Sequence, residues 1–323
     1  MLETIKYRIP GEKVIEQNGT FILADKKTNT FGFILSDFQM NSVYQFVSSE
    51  MPMKKKPVYF FKRKIPLVFS KDNYLLRANY LLQMMQISAV SKVVFSRIKK
   101  VAFDENKTND FFETLVKDYP DAFVYLISSK IFGTWVGATP ETLIGMEGNS
   151  GFTMALAGTK KFTDVSPWGT KEKEEQDFVS QFILDKLKTK KYDSIQINGP
   201  QEITAGAVKH LRTDISFSLD QKDFFSTVKL LHPTPAVSGF PQKKALDLIT
   251  KFEPQNRELY AGIIGVISKE KSKIFVNLRC CQIKRGAAYL YLGGGFTKDS
   301  IPEMEWDETE NKSKTLLNIL HKI

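Results

Sequence analysis

The chain has 323 residues, 42% of them hydrophobic and 25% charged, which is enough apolar material to bury a core in one large domain or two ordinary ones. Its apolar runs all fall short of the ~18–20 residues a membrane helix needs, and the opening MLETIKYRIPGEK carries no signal-peptide-like stretch, so no membrane role and a cytosolic location are expected. Forty-six Lys and Arg against 36 Asp and Glu leave a formal charge of +10, which attracts anions, yet no nucleic-acid module, RNA signature or finger spacing accompanies it.

Residues 1–90 carry scattered aromatics and basic clusters from which no chemistry can be read. The lysine runs at 54–56 and 188–191 read as solvated surface. From about residue 91 the pattern sharpens. Lys92–Ser96 reads as a buried strand, Asp110–Lys117 as a helix and Ala122–Ser128 as a strand. A hairpin follows, with Trp135–Met146, a turn at Glu147–Gly151 and Phe152–Ala157. An amphipathic helix is predicted over Lys171–Leu187, with Phe178, Val179, Phe182 and Ile183 on its apolar stripe. Strands near Ser194–Asn198 and over Val208–Phe217 precede a helix ending at Leu231. Another helix spans Lys243–Phe252, strands follow at Leu259–Ile267, Ile274–Ile283 and Ala287–Leu292, and a helix from Glu303 to Leu320 closes the chain. This irregular alternation with several hairpins points to an α+β architecture and not a doubly wound parallel sheet.

Some residues do not behave like scaffold. Glu172 and Glu175 lie three apart on one helix, and Glu175 falls in line with the apolar stripe. Glu305, Glu308 and Lys312 repeat the pattern on the closing helix, continuing toward Leu316 and Ile319. Carboxylates aligned with an apolar face are costly unless paired or metal-bound. Two such pairs either converge on a hard cation or are solvated first-turn glutamates favoured by the helix dipole. Gly293-Gly294-Gly295 after a strand is either a plain loop or a place for a ligand to meet bare backbone. Arg279, inside the apolar stretch IFVNLRC, calls for an anionic partner, in a structural salt bridge or a substrate clamp. Lys92 at the edge of KVVFS and Glu141 in the turn GATPETL both have bland surface readings. His210 and His232 sit beside apolar residues with no third ligand spaced for zinc, and the adjacent Cys280 and Cys281 form no disulfide or metal framework.

Together these segments resemble the chorismate-utilising enzymes, a family that includes isochorismate, salicylate, anthranilate and aminodeoxychorismate synthases. The resemblance runs from about Lys92 to Leu317. It is carried in order by KVVFSR (92–97), GATPETL (137–143), ALAGT (155–159), KEKEEQ (171–176), KHLRT (209–213), LHPTPAVSGFP (231–241), EPQNRELYAG (253–262), NLRC (277–280), GGGF (293–296) and EMEWDETENK (303–312). It implies a single chorismate-binding domain over 1–323, with residues 1–90 its variable part. The implied fold resembles anthranilate synthase component I: two large, mostly antiparallel sheets packed between helices, with the active site in the cleft between them. It implies Mg²⁺ held by Glu175 and Glu308, with Glu172 and Glu305 acting directly or through water. Gly158, His210, Tyr260, Arg279, Gly294, Gly295 and Lys312 match the substrate-binding set.

Two positions report the nucleophile that the resemblance implies. Lys92 stands where water-using members carry lysine, and Ala157 stands where aminodeoxychorismate synthases place a nucleophilic lysine. LHPTPA is the isochorismate-synthase version of its motif. The implied reaction is therefore chorismate to isochorismate, with Lys92 as base on water and Glu141 as acid to the C4 hydroxyl. Magnesium is the expected cofactor and chorismate the expected partner, with no nucleic acid, no glutaminase subunit and a monomeric chain. Menaquinone biosynthesis is the expected pathway, since no carrier-protein appendage is present. Salicylate synthase, a siderophore-pathway isochorismate synthase and, further off, anthranilate synthase are the enzymatic alternatives; a basic nucleic-acid-binding protein is the non-enzymatic one. Gln176 for a usual histidine, Gly294 for alanine and Phe296 for isoleucine depart from the family pattern.

Overall fold

The computed structural model describes residues 2–24, 31–50, 59–190, 192, 194–205 and 208–323. The lysine run at 54–56 lies outside them, as does Lys191 of the second run, whose Lys188 and Lys190 are exposed. In chain order the elements are β1 (Glu3–Arg8), β2 (Ile15–Leu23), β3 (Gly32–Ser36), β4 (Val43–Ser48), α1 (Lys71–Ile87), β5 (Lys92–Ala102), α2 (Thr108–Asp118), β6 (Phe123–Ser129), β7 (Gly133–Thr139), β8 (Thr142–Glu147), β9 (Ser150–Lys161) and α3 (Thr170–Thr189). Then come β10 (Gln196–Ala205), β11 (Val208–Ser218), α4 (Gln221–Leu231), β12 (Gly239–Phe240), α5 (Gln242–Phe252), β13 (Ile263–Ile267), β14 (Lys271–Val276), β15 (Cys280–Lys284), β16 (Ala287–Thr297) and α6 (Pro302–Leu320).

Every strand pairing is antiparallel, giving the expected α+β class. The two sheets expected from the resemblance are hydrogen-bonded into one ladder, β10-β11-β9-β8-β14-β13-β3-β4-β2-β1-β6-β7-β15-β16-β5-β12. Its two wings are joined through β3, β4, β2 and β1. The segment that carried no readable chemistry is thus the structural bridge of the molecule.

Alternation sorts the core. On β6, Phe123, Tyr125 and Ile127 join the larger hydrophobic cluster, while Val124 and Leu126 join a second one with Phe111, Phe112, Leu316 and Ile319 from α2 and α6. A strand apolar on both faces reads as a continuous run, as AFVYLIS does, because both faces are covered. Ser70 caps α1 by accepting the Asn73 N–H (3.2 Å), and Pro302 opens α6 with Glu303 and Glu305 in its first turn.

Three stretches predicted as continuous strands are interrupted, and each break serves the cleft. Trp135–Met146 divides at Pro140–Glu141, since β7 pairs with β6 and β15 while β8 pairs with β9 and β14. Ile274–Ile283 breaks at Asn277–Arg279, where Arg279 takes the left-handed φ of 48°. The Leu259–Ile267 strand begins only at Ile263, after Ala261 at φ 60°. Conversely, the three glycines at 293–295 are not a loop: β16 continues through them, pairing Gly293, Gly294 and Gly295 with Ser96, Phe95 and Val94 of β5.

Candidate active site

A cavity opens between the wings, lined from β5, β9, β11, β16, α3 and α6 and by the three strand breaks. Lys92, Glu141, Gly158, Glu175, His210, Tyr260, Arg279, Gly295 and Lys312 all line it, so most of the residues predicted from the sequence meet in one place. Four are not among its lining residues: Glu172, Gly294, Glu305 and Glu308.

The acidic helices converge as their spacing suggests. Glu175 is buried, with Oε2 accepting from Lys92 Nζ at 3.0 Å. A Cβ placed on Gly295 would stand 3.1 Å from that same oxygen and 3.2 Å from Lys92 Cε, so a side chain there would push the pair back from the strand by a few tenths of an ångström. Glu305 on α6 is 1% exposed; its Oε1 accepts from Lys171 Nζ (2.5 Å) and Ser300 Oγ (2.7 Å), while Oε2 has no hydrogen-bond partner among the described residues. A Cβ placed on Gly294 would stand 3.3 Å from this oxygen, and Gly294 is not among the residues that line the cavity. Glu308 pairs with Lys312 at 2.6 Å, and Lys312 also donates to Gly293 O (3.1 Å).

Glu172 is not among the residues that line the cavity. Its Cβ packs against Gly158, and its Oε2 lies beside Gly169 at the start of α3. That is the first-turn position which the helix dipole favours for a carboxylate.

Burial sets the protonation pattern. Desolvation pushes the Glu141 carboxyl up to about 7 against the pull of Lys92, Lys312 and Arg279. Glu305 also rises to about 7, through burial and then the charge of Glu308. Burial works the same way on Glu308, but Lys312 and Lys171 outweigh it and hold that carboxyl below the usual range. Burial tends to discharge Lys171, yet Glu305, Glu308 and Glu175 together keep it above the ordinary lysine range. His210 is pulled down to about 3 by burial and Arg279, so its ring is neutral and Nδ1–H donates to Gly158 O (2.8 Å). Gly158 itself needs its freedom, at φ +67° with its Cβ direction blocked 3.0 Å away by Glu172. Burial raises the Tyr260 phenol, which stays a donor, and lowers Arg279, whose Nη1 donates to Lys312 O (3.0 Å).

The site is therefore a cavity with Lys92, Arg279 and Lys312 facing inward, a carboxyl group poised near neutrality, and three carboxylates backing one wall. This suits a small anionic substrate and an oxygen-seeking cation. A sequence model of the chorismate binding enzymes matches residues 27–321.

The chain belongs to that chorismate-binding family. Isochorismate synthase EntC of Escherichia coli K12 is 29% identical over 243 residues, 71% of this chain and 62% of that protein. Isochorismate synthase MenF of Bacillus subtilis strain 168 is 29% identical over 269 residues, 77% of this chain and 56% of that protein. The matched stretch thus spans less than two thirds of either relative. The solved structure of MenF, the menaquinone-specific isochorismate synthase of Escherichia coli, superposes with a TM-score of 0.81 at 20% identity, covering 98% of this chain and 88% of that one. It supports the fold.

Sequence reasoning missed the groups that hold these family residues in place. Lys171 stands four residues before Glu175, a helical ion-pair spacing that was there to be read. Arg97, next to the KVVFS strand, is 2% exposed and clamps α6: Nε donates to Thr309 Oγ1 (2.7 Å), a second nitrogen pairs with Glu310, and the guanidinium lies 3.7 Å over Trp306. Arg257 and Glu253 form a buried pair that also binds Val94 O, Val237 O and Ser96 N, tying together two stretches of the cavity wall. Tyr291 lines the cavity with no motif to announce it.

Proposed function

We propose that the chain is a magnesium-dependent isochorismate synthase, exchanging the C4 hydroxyl of chorismate for a hydroxyl delivered by water to C2. The observation that carries this reading is the pair Lys92 and Glu141 on the wall of one cavity, with the carboxyl raised to about 7 beside cationic anchors. The names of the two curated relatives agree with it.

Arg279 and Tyr260 are the anchors for the pyruvyl carboxylate, and Lys312 adds a cation to the same wall beside the glycine strand. Lys92, exchanging its contact with Glu175 and acting as the free amine, takes a proton from water as the oxygen bonds to C2. The ring double bonds shift, the C4–O bond breaks, and Glu141 gives its proton to the departing hydroxyl, which leaves as water. Lys92 finishes protonated and Glu141 ionised, and proton exchange with solvent restores both. Ala157 on the cavity wall has no nucleophilic atom, which disfavours a covalent amine route, and Lys92 supports water over ammonia as the nucleophile.

The orphaned, buried Glu305 Oε2 and the all-oxygen donor set of Glu175, Glu305 and Glu308 fit magnesium. As the side chains lie, no group of three His, Cys, Asp or Glu among the described residues is gathered to hold an ion, because lysines stand between the acids. Bound magnesium would supply a fixed positive charge for the ring carboxylate.

Incubation with chorismate and Mg²⁺, followed by chromatography, should yield isochorismate without salicylate fluorescence and without anthranilate when ammonium is added. Untouched chorismate would overturn the reading. Menaquinone is the destination we read for the product. The test is restoration of menaquinone, and not of a catecholate siderophore, in a bacterium lacking its own isochorismate synthase.

A further inference from the structure

Taking the reading that Glu175, Glu305 and Glu308 hold magnesium, we infer that Lys171 is a built-in counter-ion that stands in the cation's place in the metal-free protein and must withdraw for the metal to bind. The placement of its ammonium carries the inference. Lys171 reaches across from α3 to α6, 2.5 Å from Glu305 Oε1 and 3.7 Å from Glu175 Oε1, so one nitrogen bridges the two acidic helices.

The other two lysines near these acids have different stations. Lys92 and Lys312 line the cavity and face its contents, whereas Lys171 is not part of the wall and serves only the carboxylates. Glu305 cannot turn to solvent: its side chain is 1% exposed, and without a cation beside it a buried charge would stand unpaired. Lys171 can turn away. Its side chain is 29% exposed, against 2% for Lys92, and a flexible four-carbon stem lets the ammonium swing toward water. The partnerless Glu305 Oε2 marks what the lysine leaves undone, because a point donor on Oε1 satisfies one oxygen while a coordinated ion can engage the second. Two cations competing for one carboxylate set must weaken each other's hold.

The experiment is calorimetric titration of Mg²⁺ into metal-free wild type, Lys171→Met and Glu308→Gln, with melting temperatures taken with and without saturating magnesium. Lys171→Met should bind magnesium at least tenfold more tightly than wild type. Its metal-free form should melt below metal-free wild type, and the gap should close when magnesium saturates both. Equal or weaker binding by Lys171→Met overturns the inference, as does a metal-free variant that melts with wild type. Lys171→Gln, which keeps a polar terminus, takes its place if the methionine variant does not fold. Wild type that takes up no magnesium, or Glu308→Gln that binds as well as wild type, sinks the metal reading itself and this inference with it. Failure of the lysine's role alone instead leaves wild-type binding intact and sensitive to Glu308.

Discussion

Glu141 owes its chemistry to surroundings that a sequence does not record. In GATPETL it follows a proline in a turn, where a carboxylate is unremarkable, yet it is 5% exposed and its pKa stands near 7. Two consequences follow in opposite experiments. As the proton donor, Glu141 is competent below about 7, so kcat/KM should fall with unit slope as pH rises through that value. Its pKa in the unfolded chain is the ordinary 4.5, so folded protein binds the extra proton between about 4.5 and 7. The contribution of Glu141 to stability is therefore full below 4.5 and is lost as pH rises through 7, by about 3 kcal/mol for a shift of this size. Glu141→Gln should consequently lose turnover by 10²-fold or more while melting above wild type at pH 8, a pairing read by steady-state assay and calorimetry. Lys92→Ala should drop kcat by about 10²–10⁴-fold. Near-wild-type turnover in that variant would remove the base from the scheme.

At the scale of elements, local pattern located α3 and α6 well, because each buries one stripe against the sheet at helical spacing, while α1 fell in the segment that gave no reading. It failed where tertiary pairing cut strands or prolonged them. Nothing in IFVNLRC announces that Arg279 adopts φ 48°; the break is held by Asn277, whose side chain donates to Leu259 O (2.8 Å) and accepts from Tyr125 OH (2.7 Å). The glycines at 293–295 looked like a loop because they lack strand propensity, but β5 supplies their hydrogen bonds and the helices need their bareness. Gly295→Ala should therefore leave the fold intact and cut activity at least tenfold, since Glu175 and Lys92 must both give way to the new methyl. Gln176, the departure from the family's histidine, is 1% exposed and fastens α3 to the sheet. It accepts from Ala157 N (3.0 Å) and donates to Ala155 O (3.1 Å) and Thr213 Oγ1 (2.9 Å). Gln176→Leu strands those buried groups at about 1–3 kcal/mol each, so urea titration should show a loss of several kcal/mol, and magnesium affinity should fall as Glu175 loses its fixed helix.

For the whole molecule, the two wings that face each other across the cavity are joined in the ladder through β3, β4, β2 and β1. A chain lacking residues 1–48 should therefore fail to give a cooperative melting transition, even though every predicted site residue is retained. The sequence by itself determined the α+β class, the two acidic helices and the ordered motifs, because helical periodicity and side-chain chemistry are properties of neighbouring residues. Only the tertiary structure decided that Glu141 is an acid near neutrality and that Lys171 meets Glu305, 134 residues away in sequence. Desolvation and pairing depend on which distant segments close over a group, and that closure belongs to the folded chain as a whole.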